Sequence, residues 1–209
     1  MKTKMKALTL VLCAMLLVVA SVMGTLAYLK AQTGPVTNTF TVGKVNITLD
    51  EAAVDLYGQK IDMNNDSAID DKDRRTENQY KLIPGHEYTK DPTIHVAAES
   101  EACFVFVKVE NGLKDIVAAT TIEDQIIAKG WTQLYDADGN AVAGVYYKAL
   151  DLKTAYDGED LVVFESFELL DNANVANYAS AKIIITGYAI QADGFGTDAY
   201  AAWAAGQFN

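Results

Sequence analysis

The distribution of apolar positions changes character after the first thirty residues. Lys2, Lys4 and Lys6 lead into an apolar stretch from Ala7 to Ala20 that continues through Val22 and Met23, and no charge appears between Lys6 and Lys30. Beyond it the pattern has a two-residue period: Phe40 and Val42, then Val45, Ile47 and Leu49, with the phase slipping by one at Gly43-Lys44, which predicts a strand carrying a β-bulge. Runs rich in Val, Ile, Phe, Tyr and Thr predict further strands at Ile94 to Ala97, Phe104 to Val109, Trp131 to Tyr135, Val142 to Lys148, Leu161 to Leu169 and Lys182 to Gln191. The segment from Asp136 to Asn140 (DADGN) reads as a hairpin connection. Helical spacing is confined to Thr121 to Lys129, with Gly130 as C-cap, and to an Ala-rich tail from Tyr200 to Ala205. About seven short strands with so little helix predict an all-β fold with minor helix, a jelly-roll-like antiparallel β-sandwich.

Composition alters the picture at the N-terminus first. Three lysines before an apolar core of secretory length, followed by Thr25-Leu26-Ala27 with small residues at both cleavage-determining positions, predict a signal peptide over residues 1–27, cut between Ala27 and Tyr28. The rival reading is a membrane anchor, for which the run is close to the minimum length of roughly 18–20 residues. Cys13 follows Leu12, where a lipoprotein signal needs a small residue, so lipidation is not expected. Cleavage leaves 182 of the 209 residues and takes the net charge from −11 to −14, because the leader holds three lysines and no acid. Such acidity repels nucleic acid and anionic lipid. Residues 28–38 (YLKAQTGPVTN) read as an exposed arm and residues 39–209 as one domain, secreted to the matrix or cell surface. The remaining cysteine, Cys103, borders an apolar run and is expected to be a small buried hydrophobe.

One loop carries candidate chemistry. In Asp62-Met-Asn64-Asn-Asp66-Ser-Ala68-Ile-Asp70-Asp-Lys-Asp73, oxygen side chains fall at positions 1, 3, 5, 9 and 12, the spacing with which an EF-hand or dockerin-like loop collects oxygens around calcium. Ala68 would give its backbone carbonyl. Ser67 stands where such loops use glycine, and Asp73 where the longer Glu is usual; the alternative is a solvated acidic insertion between strands. Catalytic motifs are not found. Glu87 follows His86, but Lys90 occupies the place of the second histidine of a zinc-protease helix, and Pro84-Gly85 favours a turn; His95 alternates outward from Ile94 and Val96. Neither a GxSxG elbow nor a phosphate-binding GxxxxGK[ST] loop occurs. Trp131 and Trp203 could stack on carbohydrate, though strand-rich cores are ordinarily aromatic.

Three stretches, GTLAYLKA running into NTFTVGKVNITLDE, then YKLIPGHEYTKDPTIHV, then KIIITGYAIQADGF, together resemble the TasA/camelysin family of Gram-positive secreted proteins, whose leaders are removed by the signal peptidase SipW. Lys81, Pro84, Gly85, Thr89, Lys90 and Asp91 carry the most specific part, and residues 113–171 are not matched. The resemblance implies a jelly roll that builds fibres of a biofilm matrix, each subunit's N-terminal arm completing a sheet of its neighbour. It places the donor in residues 28–38, with Leu29 and Val36 as anchors, although Thr33-Gly34-Pro35 would interrupt ladder pairing. The partner expected is therefore a second copy of the chain, with SipW for processing, calcium as the one cofactor considered and no enzymatic activity. Camelysin relatives have been classed as metallopeptidases, but no ligand set for one is present.

Overall fold

The computed structural model describes residues 2–28, 44–118, 121–151 and 158–208. The chain divides into two compact units, residues 1–41 and 42–209. In the first, helix α1 (Lys2–Tyr28) is apolar on all sides, and its Lys2–Ala20 portion is long and apolar enough to cross a membrane, a property it shares with signal sequences.

The regular structure of the second unit is mainly strand, and every strand pairing among the described residues is antiparallel. Sheet I takes β1 (Ile47–Ala52), β2 (Arg74–Arg75), β4 (Thr93–Val96) and β8 (Glu159–Val162) in the order β2-β1-β4-β8. Sheet II takes β5 (Cys103–Asn111), β6 (Thr132–Tyr135), β7 (Ala141–Leu150) and β10 (Ile183–Gln191) in the order β10-β5-β7-β6. A two-stranded ribbon joins β3 (Glu87–Thr89) to β9 (Ser166–Glu168).

Strand β5 shows how sequence makes the layers. Its odd-numbered residues Cys103, Val105, Val107 and Val109 join a core shared with Ile94 and Val96 of β4, whereas Phe104 and Phe106 enter a second core on the opposite face. Successive side chains of a strand point to opposite faces, so the continuous apolar run CFVFV requires both faces to be covered. Sheet I covers the first. Gly187 of β10 lies where the sheets approach, since a Cβ there would come within 3.1 Å of Ile94 Cδ1. Helix α3 (Ala199–Gly206) covers the second: Trp203 meets Phe106 at 5.2 Å and Tyr188 at 5.4 Å between ring centres, and Phe208 folds back on Tyr188 at 4.7 Å. Asp198 starts this helix by accepting the Ala201 N–H at 2.9 Å.

The helix expected at Thr121 to Lys129 is α2 (Ile122–Ala128), with Thr121 as N-cap, Ile122 and Ile126 in the first core, and Gly130 at φ +81° just past its end. The tail helix and the Asp136–Asn140 hairpin between β6 and β7 also lie where the pattern predicts them. The run from Leu161 to Leu169, expected as one strand, is two. It leaves the ladder after Val162 and resumes at Ser166, opposite Asp91-Pro92, because proline has no N–H to donate. Val163 N–H to the Pro92 carbonyl (2.8 Å) and Lys90 N–H to the Glu165 carbonyl (3.0 Å) carry the pairing around the bend. The expected pair Phe40 and Val42 falls outside the described residues, and β1 begins at Ile47.

Candidate functional site: an open groove with a polar end

Among the described residues, the first core is only partly covered along one side. Strand β10 is the outer strand of sheet II, and β1 is paired with β4 over Ile47–Asp50 while β2 reaches it only at Glu51 and Ala52. Between these two free edges runs a groove of about 910 Å³. Leu49 of β1, Ile183 and Ile185 of β10, and Tyr80, Leu82 and Leu113 line it; apart from the buried Leu113, these side chains are only partly covered. Among the described residues no strand pairs with these two edges, which flank partly covered core residues.

The groove's polar end is built by Glu51, Lys90 and Asn78. Lys90 Nζ donates to Glu51 Oε2, and both residues are more than nine-tenths buried. Asn78 Nδ2 donates to Glu51 Oε1 at 2.9 Å and to the Ala52 carbonyl at 2.8 Å, while its Oδ1 accepts the Val54 N–H at 3.1 Å. Tyr80 stands over this group, donating to the Thr89 carbonyl at 3.1 Å with its ring against Tyr88 and Phe167. Burial first, then the charges of Glu51 and Asp91, push the Tyr80 hydroxyl far above its ordinary pKa.

Across the other face of sheet I runs a row of charges, one from each strand. Arg74 of β2 donates to Asp50 of β1, which meets His95 Nε2 of β4 at 2.9 Å, and His95 Nδ1 meets Asp160 of β8 at 2.6 Å. Arg74 also lies 3.6 Å from Asp91, as does Lys60. Partial burial favours neutral His95, but its hydrogen bonds to Asp50 and Asp160 outweigh that and raise its pKa. For Asp50, burial is likewise outweighed, by Arg74 and His95, and its carboxyl is held low.

The acidic loop is ordered by its own side chains. Asp62 accepts the N–H groups of Asn65 (2.6 Å) and Ser67 (2.8 Å); Asn64 and Asp66 accept those of Asp66 and Ala68, each at 2.9 Å. Asp70 accepts the Lys72 N–H, and the buried Asp73 closes the loop by accepting from Met63 (2.7 Å) and Asp70 (3.1 Å). The Asp70 and Met63 N–H donors hold the Asp73 carboxyl below the usual range. Ser67 adopts φ +70°, the left-handed turn that glycine usually supplies. Among the described residues no three His, Cys, Asp or Glu side chains are gathered into a cage for a metal ion.

Of the other sequence-predicted positions, Ala27 and Tyr28 are the last two residues of α1, and Leu29 and Val36 lie outside the described residues. Cys103 is fully buried, and burial, reinforced by the charge of Glu159, pushes its thiol up to about 11. Trp131 is buried, donating to the Val162 carbonyl at 2.9 Å, and His86 sits in the turn expected from Pro84-Gly85. The groove and its Glu51–Lys90–Asn78 end went unread in the sequence; the available signal was a lysine and a glutamate each embedded in strand-like runs. Comparison with protein-family models, with curated proteins and with solved structures finds no match for this chain.

Proposed function

We propose that the chain is a secreted, non-enzymatic structural protein of the cell surface or biofilm matrix, assembling head to tail into fibres by donor-strand exchange. The observation that supports this reading is the groove between the outer edges of β1 and β10, where core side chains are partly covered and no described strand pairs with the edge backbone groups. A strand entering it would satisfy those groups and cover Leu49, Ile183 and Ile185. The donor is residues 28–38 of a second copy, with Leu29 and Val36 as anchors, freed by removal of the leader after Ala27; SipW is the peptidase that the TasA/camelysin resemblance implies. The jelly-roll arrangement of the two sheets belongs to the same reading.

Electron microscopy of protein starting at Tyr28 and at Thr39 tests it. Fibres are expected only from the longer form, and Ile185→Arg in that form is expected to leave a folded monomer. Equal fibre formation by both lengths overturns the donor arm. Because each processed subunit carries a net charge of −14, fibre yield is expected to rise with salt.

The left-handed turn at Ser67, in the glycine position of the acidic loop, favours a second reading, a monomeric calcium-dependent adhesion module. Calorimetric titration separates the two. Heat of calcium binding that vanishes in Asp62→Ala and Asp66→Ala supports the module, and no heat at millimolar calcium removes it.

A further inference from the structure

The Glu51–Lys90–Asn78 group has the parts of a reaction. One carboxylate receives an amine on one oxygen and a side-chain amide on the other, so Glu51 is a ready path for protons between Lys90 Nζ and Asn78 Nδ2. The orientation of the Asn78 amide is fixed by chemistry: the Ala52 carbonyl only accepts and the Val54 N–H only donates, so Nδ2 faces Glu51 and Oδ1 faces Val54. The Val54 N–H therefore polarises the amide carbonyl and is placed to stabilise negative charge on Oδ1. Lys90 and Glu51 are buried beside Tyr80, where water competes poorly for the amine and electrostatic effects are strong.

We infer that these three residues form a self-acting cross-linking site, which joins Lys90 Nζ to Asn78 Cγ in an isopeptide bond with Glu51 as proton carrier. The ammonium of Lys90 passes a proton to Glu51, leaving net charge in the buried site unchanged. The Nζ electron pair attacks Asn78 Cγ, and the carbonyl pair moves to Oδ1 against the Val54 N–H. The tetrahedral centre then collapses. Glu51 returns its proton to Nδ2, the Cγ–Nδ2 bond breaks with its pair on nitrogen, and the second Nζ proton follows by the same route. Lysine ammonium and asparagine amide become one secondary amide and one ammonium ion, with no oxidant, metal or cofactor consumed. The bond would tie the segment after β2 to the turn before β4, along one wall of the groove. It would also give the folded unit a covalent staple where Cys103, its only cysteine, is a free buried thiol. The inference stands independently of fibre assembly.

Intact-mass measurement and peptide mapping of the purified, folded chain test it. The expected mass is one ammonia below that of the sequence, with a branched peptide joining the Asn78 and Lys90 segments. Lys90→Arg and Glu51→Gln are expected to restore the full mass, and Asn78→Asp to lose water in place of ammonia. A full sequence mass after prolonged incubation of folded protein overturns the inference. So does ammonia loss that persists in Lys90→Arg without a branched peptide, the mark of a succinimide at Asn78. The branched peptide in the unsubstituted chain decides the matter even if a variant fails to fold, which near-ultraviolet circular dichroism would report.

Discussion

Sheets I and II are both antiparallel and both four-stranded, yet they are held by different forces. Sheet II lies between two apolar layers: Val105 and Val107 face one, Phe104 and Phe106 the other. Sheet I has one apolar face and, on the other, the row Arg74–Asp50–His95–Asp160, one charge per strand. Burial is insensitive to pH and only weakly dependent on salt, whereas partly exposed charges respond to both. Sheet I also borders the open groove along the β1 edge. The charged face that responds to solution conditions therefore belongs to sheet I alone, whereas the groove is bordered by both sheets, through β1 and β10.

The sharpest way to break this contrast is to remove a side chain from the doubly buried strand. Phe106→Ala takes a fully buried ring from between Tyr147, Trp203 and Phe208 and is expected to cost about 3–5 kcal/mol by denaturant titration, equally at acidic and alkaline pH. Arg74→Ala attacks sheet I instead. It removes the guanidinium shared by Asp50 and Asp91, both largely sheltered, leaving them only His95 and Lys60, and is expected to cost about 1.5–3 kcal/mol, with the loss reduced where Asp50 is protonated. A Phe106 loss that varied with pH, or an Arg74 loss that did not, would erase the distinction between the sheets.

The sequence carried sheet II better than sheet I, and the reason lies in those forces. Strands β5, β7 and β10 are long and apolar, so a two-residue period or an unbroken hydrophobic run marks them. Strand β2 is only Arg74-Arg75, placed by pairing with Glu51 and Ala52, and β3 is Glu87–Thr89; neither is long enough to show a period. The bend at Val163 to Glu165 was hidden because Val163 and Phe164 are apolar and its cause, Pro92, stands just before the partner strand β4. The groove was invisible for a related cause. Ile183 and Ile185 read as core, and only tertiary structure reveals that they line the groove, partly covered. The acidic loop, by contrast, is local, and the spacing that suggested it also sets the hydrogen bonds that order it.

A smaller effect isolates the row's one titrating member near neutrality. Imidazolium donates from both nitrogens and satisfies Asp50 and Asp160 together, while neutral imidazole donates to one and turns a lone pair on the other. Since the folded pKa of His95 is raised, its stabilisation is complete below the unfolded value of about 6.5 and is lost as pH rises through the folded value. Asp160 is mostly exposed, so solvent screening holds the effect to about 1 kcal/mol or less. Stability of the unsubstituted chain should therefore decline slightly across neutral to mildly alkaline pH, and His95→Gln should flatten the decline. Hydrogen exchange of the β8 amides should quicken over the same interval, because Asp160 anchors that outer strand.

The smallest expected change lies in the loop between β1 and β2. Ser67 holds φ +70°, where an L side chain is strained, so Ser67→Gly relieves that strain while giving the unfolded chain more freedom. These effects oppose each other, and the net gain expected is about 0.5 kcal/mol or less by thermal melting without calcium. The loop's backbone N–H groups are already taken by Asp62, Asn64, Asp66 and Asp73, so its shape survives without a cation. If calcium binds, mass action adds stability that grows with its concentration, in Ser67→Gly as in the unsubstituted chain, and Asp62→Ala removes it. A melting temperature unmoved by millimolar calcium in all three would leave the loop as a self-closed connection and sheet I governed by its charge row alone.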